Sequence, residues 1–246
     1  MRETRIIMAM PITIDVPRGK AESLEKAFVF LVEVDARFST YKADSEISRI
    51  NRGEILPGGY SPDMNEVFAL AETAKQETKG FFNIQKPGGT LDPSGVVKGW
   101  AIQKVAQMLD AEGYDAYMVD GSGDIASAGK NSEGNDWSFG IQNPLAPEEI
   151  VKVVYPRGKG VATSGSMVRG AHIYNPLDPT ASLDEVKSIT VIGPDVLTAD
   201  LYATAAFAMG QKGIEFLEAT DGLEGYAIDK NGRATMTNGF PAYTTI

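Results

Sequence analysis

TADLYATAAFAMG, from Thr198 to Gly210, has the composition and spacing of a buried helix. Alanine, leucine and methionine dominate it, and all three are strong helix formers. Thr198 is the expected N-cap, because its hydroxyl can accept from the free N–H groups of the first turn. Ala199, Ala203, Ala206 and Phe207 recur at three- and four-residue spacing and mark an inward face. The small side chains of Ala203 and Ala205 let another backbone come close. Asp200 and Thr204 stand one turn apart on one helical face. A carboxylate and a hydroxyl so placed are two hard oxygen ligands, suited to Mg2+, which completes its octahedron with carbonyls, waters and phosphate oxygens. The same spacing has a structural reading: Asp200 complements the helix dipole in the first turn, and Thr204 bonds a carbonyl one turn back. Spacing alone favours the structural reading, and only the company these residues keep reverses it.

The chain has 246 residues, 43% hydrophobic and 23% charged, enough to bury a proper core. Its formal net charge of -10 argues against a nucleic-acid backbone or an anionic membrane as partner. A phosphorylated ligand is compatible with that charge only at a local site with metal or backbone donors. There is no cysteine, which removes disulfides, thiolate metal sites and cysteine nucleophiles. The first residues, MRETRIIMAMPITIDV, lack the apolar run of a signal peptide, and no other run approaches a membrane span. The expectation is a soluble cytoplasmic protein.

Ile6 to Val16 is expected as a strand. Ala21 to Phe38 is expected as an amphipathic helix with Leu24, Ala27, Phe28, Leu31, Val34 and Phe38 inward. FSTYKADSEISRIN, from Phe38 to Asn51, reads as polar and turn-rich. Further helices are expected over Asp63 to Thr78 and Val96 to Ala111, with a short strand and glycine loop over Phe81 to Gly89 between them. Extended segments follow at Ala116 to Val119, Trp137 to Gln142, Ile150 to Tyr155, Gly170 to Tyr174 and Val186 to Ile192. After the Thr198 helix come a short helix at Gly213 to Ala219 and a hairpin of Gly225 to Asp229 with Arg233 to Met236. Strands and helices do not alternate strictly. The class is therefore α+β, a mixed sheet with packed helices, in one domain over residues 1–246.

Four stretches carry chemistry. In LDPSGVVKGWAIQKV, Asp92 to Gly95 is a turn entering a helix whose N–H groups can face an anion, with Lys98 a turn further in. Gly95 and Gly99 permit close approach of a ligand or a neighbouring helix. By itself such a start is a capped helix. In GVATSGSMVRGAHIYNP, Thr163, Ser164 and Ser166 form a donor-rich turn. His172 is the only histidine, and so the one side chain suited to proton transfer near neutral pH. A lone histidine is also commonly a structural hydrogen-bonder. YMVDGSGDIASAG leaves a strand through Gly121-Ser122-Gly123 into Asp124, as a tight turn or a place where backbone meets ligand. The Thr198 helix is the fourth.

Together and in order, these stretches resemble the ApbE family, the FAD:protein FMN transferases. Met8-Ala9-Met10 is a looser form of the family's Met-Gly-Thr strand, and FSTYKADSEISRIN nearly matches a phrase of the form FSxYxxxSEISRxN. Gly80-Phe81-Phe82-Asn83 follows, then Asp92, Gly95, Lys98, Gly99 and Ala101 of a DxxGxxKGxA phrase, then GSGDI and WSFGIQNP. ATSG, His172 and the DxxAT set of Asp200, Ala203 and Thr204 complete the series, so the resemblance runs from about Met8 to Gly210. It implies a T-fold-like α+β domain. It also implies Mg2+ held by the Gly95 carbonyl, Asp200 and Thr204, with the Ala203 carbonyl nearby. FAD would be contacted by Met8, Tyr41, Phe81, Phe82, Asn83, Asp92, Lys98 and Tyr174, with Tyr41 as an aromatic wall.

The reaction implied is transfer of FMN from FAD to a serine or threonine hydroxyl of an acceptor protein, with AMP released and Asp200 and His172 as the catalytic pair. Asn83 and Asn175 stand where the family usually has aspartate, and Ser122 replaces a glycine. Two alternatives share the site: Mg2+-dependent hydrolysis of FAD to FMN and AMP, and FAD binding without turnover, which the two asparagines favour.

Overall fold

The computed structural model describes residues 1–165 and 173–244. The chain begins with a hairpin where a single strand was expected. Arg2–Ile7 (β1) and Met10–Asp15 (β2) pair antiparallel, with Ile7 opposite Met10. Met8 and Ala9 make the turn at φ of 52° and 57°. Two left-handed residues are what so short a turn requires for its twist to match the strands. Neither residue is Gly, Asn or Asp, so composition does not announce the reversal.

Tyr117–Gly121 (β3), Asp124–Ala128 (β4), Phe139–Asn143 (β5), Ala146–Val154 (β6), Gly160–Gly165 (β7), Val186–Gly193 (β8), Glu224–Asp229 (β9) and Ala234–Met236 (β10) are the other strands. Eight form one sheet in the order β1-β2-β3-β4-β7-β8-β9-β10, and β5 pairs with β6 apart from it. Among the described residues every strand pairing is antiparallel. This corrects the expected mixed sheet and keeps the α+β class. Between β8 and β9, Val196–Ala208 (α5) and Gly213–Glu218 (α6) carry the chain out and back to the end it left, so even a helical connection joins antiparallel neighbours. The sheet is narrowest between β4 and β7, where Ile125 opposite Val161 is the one registered pair.

Ala21–Phe38 (α1) buries all six residues expected to face inward. Each of the larger five, Leu24, Phe28, Leu31, Val34 and Phe38, is worth about 1.5–3 kcal/mol when withdrawn from water. Glu46–Asn51 (α2), within the stretch read as turn-rich, is a helix capped by Ser45, whose Oγ accepts from the Ser48 N–H. Pro62–Glu77 (α3) and Ser94–Ala111 (α4) follow. Phe81 to Gly89 forms no strand; an isolated bridge joins Gln85 to Leu91. Thr163 and Ser164 lie in strand β7, not in a turn. Ile173 and Tyr174 are not in a strand, and the rest of the expected Gly170–Tyr174 segment lies outside the described residues. One core lies between α1, α3, α4 and the β1–β4 half, a second between α5 and β7–β9, and a third on the opposite sheet face beneath β5, β6 and Phe240. Among the described residues, no helix is long and apolar enough to cross a membrane.

Candidate active site

The N-cap of α5 is Asp195, whose carboxylate accepts from both the N–H and the hydroxyl of Thr198. The helix therefore starts before Thr198, which corrects the expected cap. The chain leaves β8 at Gly193, where a Cβ would lie 3.3 Å from the Ala199 nitrogen. So short a link leaves no room for a later start.

Asp200 consequently sits beyond the first turn, buried, with Oδ2 accepting the Gly99 N–H of α4 at 2.8 Å. The helices touch here because residue 99 has no side chain: a Cβ would stand 2.8 Å from the Asp200 Cβ and 3.1 Å from the Leu197 Cα. Thr204, one turn on, has Oγ1 3.3 Å from Ser164 Oγ of β7. A Cβ on Gly95 would meet Thr204 Cγ2 at 3.6 Å, so the first turn of α4 adjoins Thr204. Gly95, about a hundred residues earlier in sequence, thus meets Asp200 and Thr204 at one helix crossing. Ala203 turns its side chain into the second core, leaving only its carbonyl for any ligand.

Asp124, at the start of β4, completes this junction. It is fully buried, with Oδ1 3.3 Å from the Thr163 N–H and Oδ2 2.6 Å from the Lys98 Nζ. Lys98 Nζ is 3.9 Å from Asp200 Oδ1. Burial pushes the Asp124 carboxyl well above the usual carboxylate range, the adjoining Asp200 adds to the shift, and Lys98 opposes it. Gly121-Ser122-Gly123 is a tight turn, one of the two expected possibilities, with Ser122 and Gly123 at φ of 56° and 96°. The carboxylate that this turn delivers into the interior is not among the expected site residues. A single charged residue opening a strand of small and apolar residues, DIASA, was the available signal.

The junction forms one wall of a cavity of about 930 Å3, which Phe81, Phe82, Asn83, Asp92, Lys98 and Tyr174 also line, together with apolar residues of β5 and β6. Burial alone would raise the Asp92 carboxyl, but its ion pair with Lys86 and the N–H of Ser94 outweigh this and hold it below its ordinary value. Met8 packs on the core beside the cavity, which its neighbours Ala9 and Met10 line. Tyr41 is 98% exposed and outside the cavity lining, so the structure does not make it the expected aromatic wall. It projects from a tight turn in which Ser45 Oγ donates to the Ser39 carbonyl and Lys42 N–H bonds back to the same residue. His172 lies outside the described residues.

The two asparagines hold turns. Asn83 Oδ1 accepts from the Gln85 N–H at 3.0 Å, and Asn175 Oδ1 accepts from Leu177 at 2.9 Å and Asp178 at 3.3 Å. Carboxylate oxygens would accept the same bonds.

The SEISRIN phrase is a brace. Glu46 Oε1 accepts the Ser61 N–H, and Asn51 pairs with Leu91 like a strand neighbour: Nδ2 donates to its carbonyl at 2.9 Å and Oδ1 accepts its N–H at 2.8 Å. Leu91 immediately precedes Asp92, so Asn51 holds the cavity wall by its backbone. Asn51→Ala is expected to cost about 1–3 kcal/mol, two ordinary hydrogen bonds. Amide hydrogen exchange is the check: the Leu91 N–H should exchange faster while the α1 amides stay protected.

The two helices thus cross over Gly99 beside the antiparallel sheet, with Asp200 and Thr204 on the wall of the cavity. The model of the ApbE family matches residues 8–86 and 84–227, and the chain belongs to that family. Relatives named FAD:protein FMN transferase include one from Haemophilus influenzae, 26% identical over 283 residues, covering 89% of this chain and 82% of that protein. One from Escherichia coli K12 is 31% identical over 171 residues, covering 66% of this chain and 49% of the relative. One from Klebsiella pneumoniae is 29% identical over 183 residues, 71% of this chain and 52% of the relative, so the chain spans about half the length of these two. The flavin transferase ApbE from Vibrio cholerae superposes with a TM-score of 0.86 at 22% identity, covering 99% of this chain and 98% of that one. The ApbE protein of Thermotoga maritima gives 0.87 at 17% identity, covering 100% and 99%. These two likenesses establish the fold.

Proposed function

We propose that this protein is a Mg2+-dependent FAD:protein FMN transferase. The observation that carries the reading is the convergence of Gly95, Asp200 and Thr204 on the wall of a cavity of about 930 Å3. A carboxylate, a hydroxyl and backbone carbonyls are the donor set for a hard divalent cation that keeps room for phosphate oxygens. Mg2+ bound there would neutralise pyrophosphate charge.

FAD is the substrate. Phe81, Phe82 and Tyr174 supply apolar wall for its rings, and the cavity is large enough to take it. The oxygen of an acceptor Ser or Thr attacks the FMN-side phosphorus, the bond from that phosphorus to the bridging oxygen breaks, and AMP leaves. His172 is the proposed acceptor of the hydroxyl proton. Since Asn83 and Asn175 serve turns as acceptors, their amides weigh little toward binding without turnover.

The test mixes the protein with FAD and Mg2+, with and without a Ser/Thr acceptor domain, following AMP by chromatography and covalent flavin by mass spectrometry. AMP and flavinylated acceptor appearing together, and only with acceptor present, is the expected result. AMP and free FMN without acceptor would make it a hydrolase. FAD bound with no AMP would make it a carrier.

A further inference from the structure

We infer that Asp124 is a positioning residue for the cation site, holding the Lys98 ammonium off Asp200 so that the Asp200 carboxylate stays available to a divalent ion. The inference rests on the metal reading above. Lys98 Nζ is 2.6 Å from Asp124 Oδ2 and 3.9 Å from Asp200 Oδ1. Each carboxylate is also tied to a backbone N–H of another element, Asp124 to Thr163 of β7 and Asp200 to Gly99 of α4. The ammonium is thus held between two anchored carboxylates and pairs with the one outside the implied ligand set. Asp124 is wholly buried, so its contacts come from the fold and not from solvent exchange.

The position of Asp124 adds to this. The β4–β7 ladder has a single registered pair at Ile125, and the Asp124 carboxylate takes the Thr163 N–H where the ladder stops. The same side chain therefore braces the opening between the strands and pairs with the Lys98 ammonium. Without the Asp124 charge, the pull on the Lys98 ammonium shifts toward Asp200, 3.9 Å away, and favours the direct ion pair that a metal would have to displace. An outer-shell partner of this kind typically changes metal affinity by 10–100-fold.

The experiment measures Mn2+ binding, as a probe for Mg2+, by electron paramagnetic resonance without FAD and on the alkaline side of neutrality. Four proteins are compared: the unaltered chain, Asp124→Asn, Lys98→Met, and the double variant. Asp124→Asn should bind roughly tenfold or more weakly. The double variant, which removes the competing ammonium as well, should recover to within about threefold of the unaltered protein. A merely structural role for Asp124 predicts no such rescue. Unchanged affinity in Asp124→Asn, or failure of a folded double variant to recover, overturns the inference. Should Asp124→Asn not fold, Lys98→Met decides: affinity equal to or above that of the unaltered chain supports the inference, and a tenfold loss overturns it. No Mn2+ binding by the unaltered protein overturns the metal reading itself, an outcome distinct from the others.

Discussion

Asp200→Asn is expected to lower AMP release from FAD by at least about 100-fold while leaving the protein as stable as before, or more so. The asparagine oxygen can still accept the Gly99 N–H, so the helix crossing keeps its bond. What disappears is a negative charge beside a second buried carboxylate, since Asp200 is one of the groups that push Asp124 upward. Removing one member of a repelling pair should not destabilise the fold, whereas removing a metal ligand removes the charge that an ion needs. Loss of function with retained stability is the pattern of a site held at a cost to the fold. Chromatography of AMP and a melting curve with and without Mg2+ make the measurement. The Mg2+-induced rise in melting temperature should vanish in the variant. Turnover within about threefold of the unaltered protein would remove Asp200 from the site.

Gly99→Ala carries the largest expected effect on stability, and its sign separates local from tertiary control. Local propensity predicts a gain of about 1 kcal/mol, because alanine is the better helix former in a helix interior. The packing predicts the reverse. The new methyl would lie 2.8 Å from the Asp200 Cβ and 3.0 Å from its Oδ2, so α4 and α5 must separate. Separation strains well-packed neighbours and lengthens a buried hydrogen bond to a carboxylate, together about 3 kcal/mol. For a chain of this size that is a fall of roughly 6–12 °C in melting temperature. A rise in melting temperature would mean that the two helices are not in contact at this residue.

What was legible in the sequence was what local periodicity controls. The inward face of α1, the final hairpin over Lys230-Asn231-Gly232 and the shared face of Asp200 and Thr204 all follow from spacing along one element. The ordered motifs also carried the family. Phe81, Phe82, Asn83, Asp92, Lys98 and Tyr174 line one cavity as a set chosen by motif position.

The rest depended on contacts between distant elements. Thr198 and Asp195 are both capping residues, and the short exit from β8 at Gly193 decided between them. Met8 and Ala9 turn the chain although no turn residue marks the place, because the paired strands on either side over-determine it. β7 looked like a donor-rich turn because its alternation is between faces that both matter: Ser164 reaches Thr204 of α5, while Thr163 Oγ1 bonds Thr190 Oγ1 of β8. Tyr41 matched its motif, yet the turn around Ser39 and Ser45 directs it to solvent. Asp124 gave no sign of its partner, because an ion pair with Lys98 is a property of how β4 and α4 pack. Sequence alone determined the longer helices such as α1, the α+β class and the family of this protein, since periodicity and motif order are written along the chain. Only the tertiary structure decided which buried charges face one another, because the energy of a charge depends on what surrounds it in space.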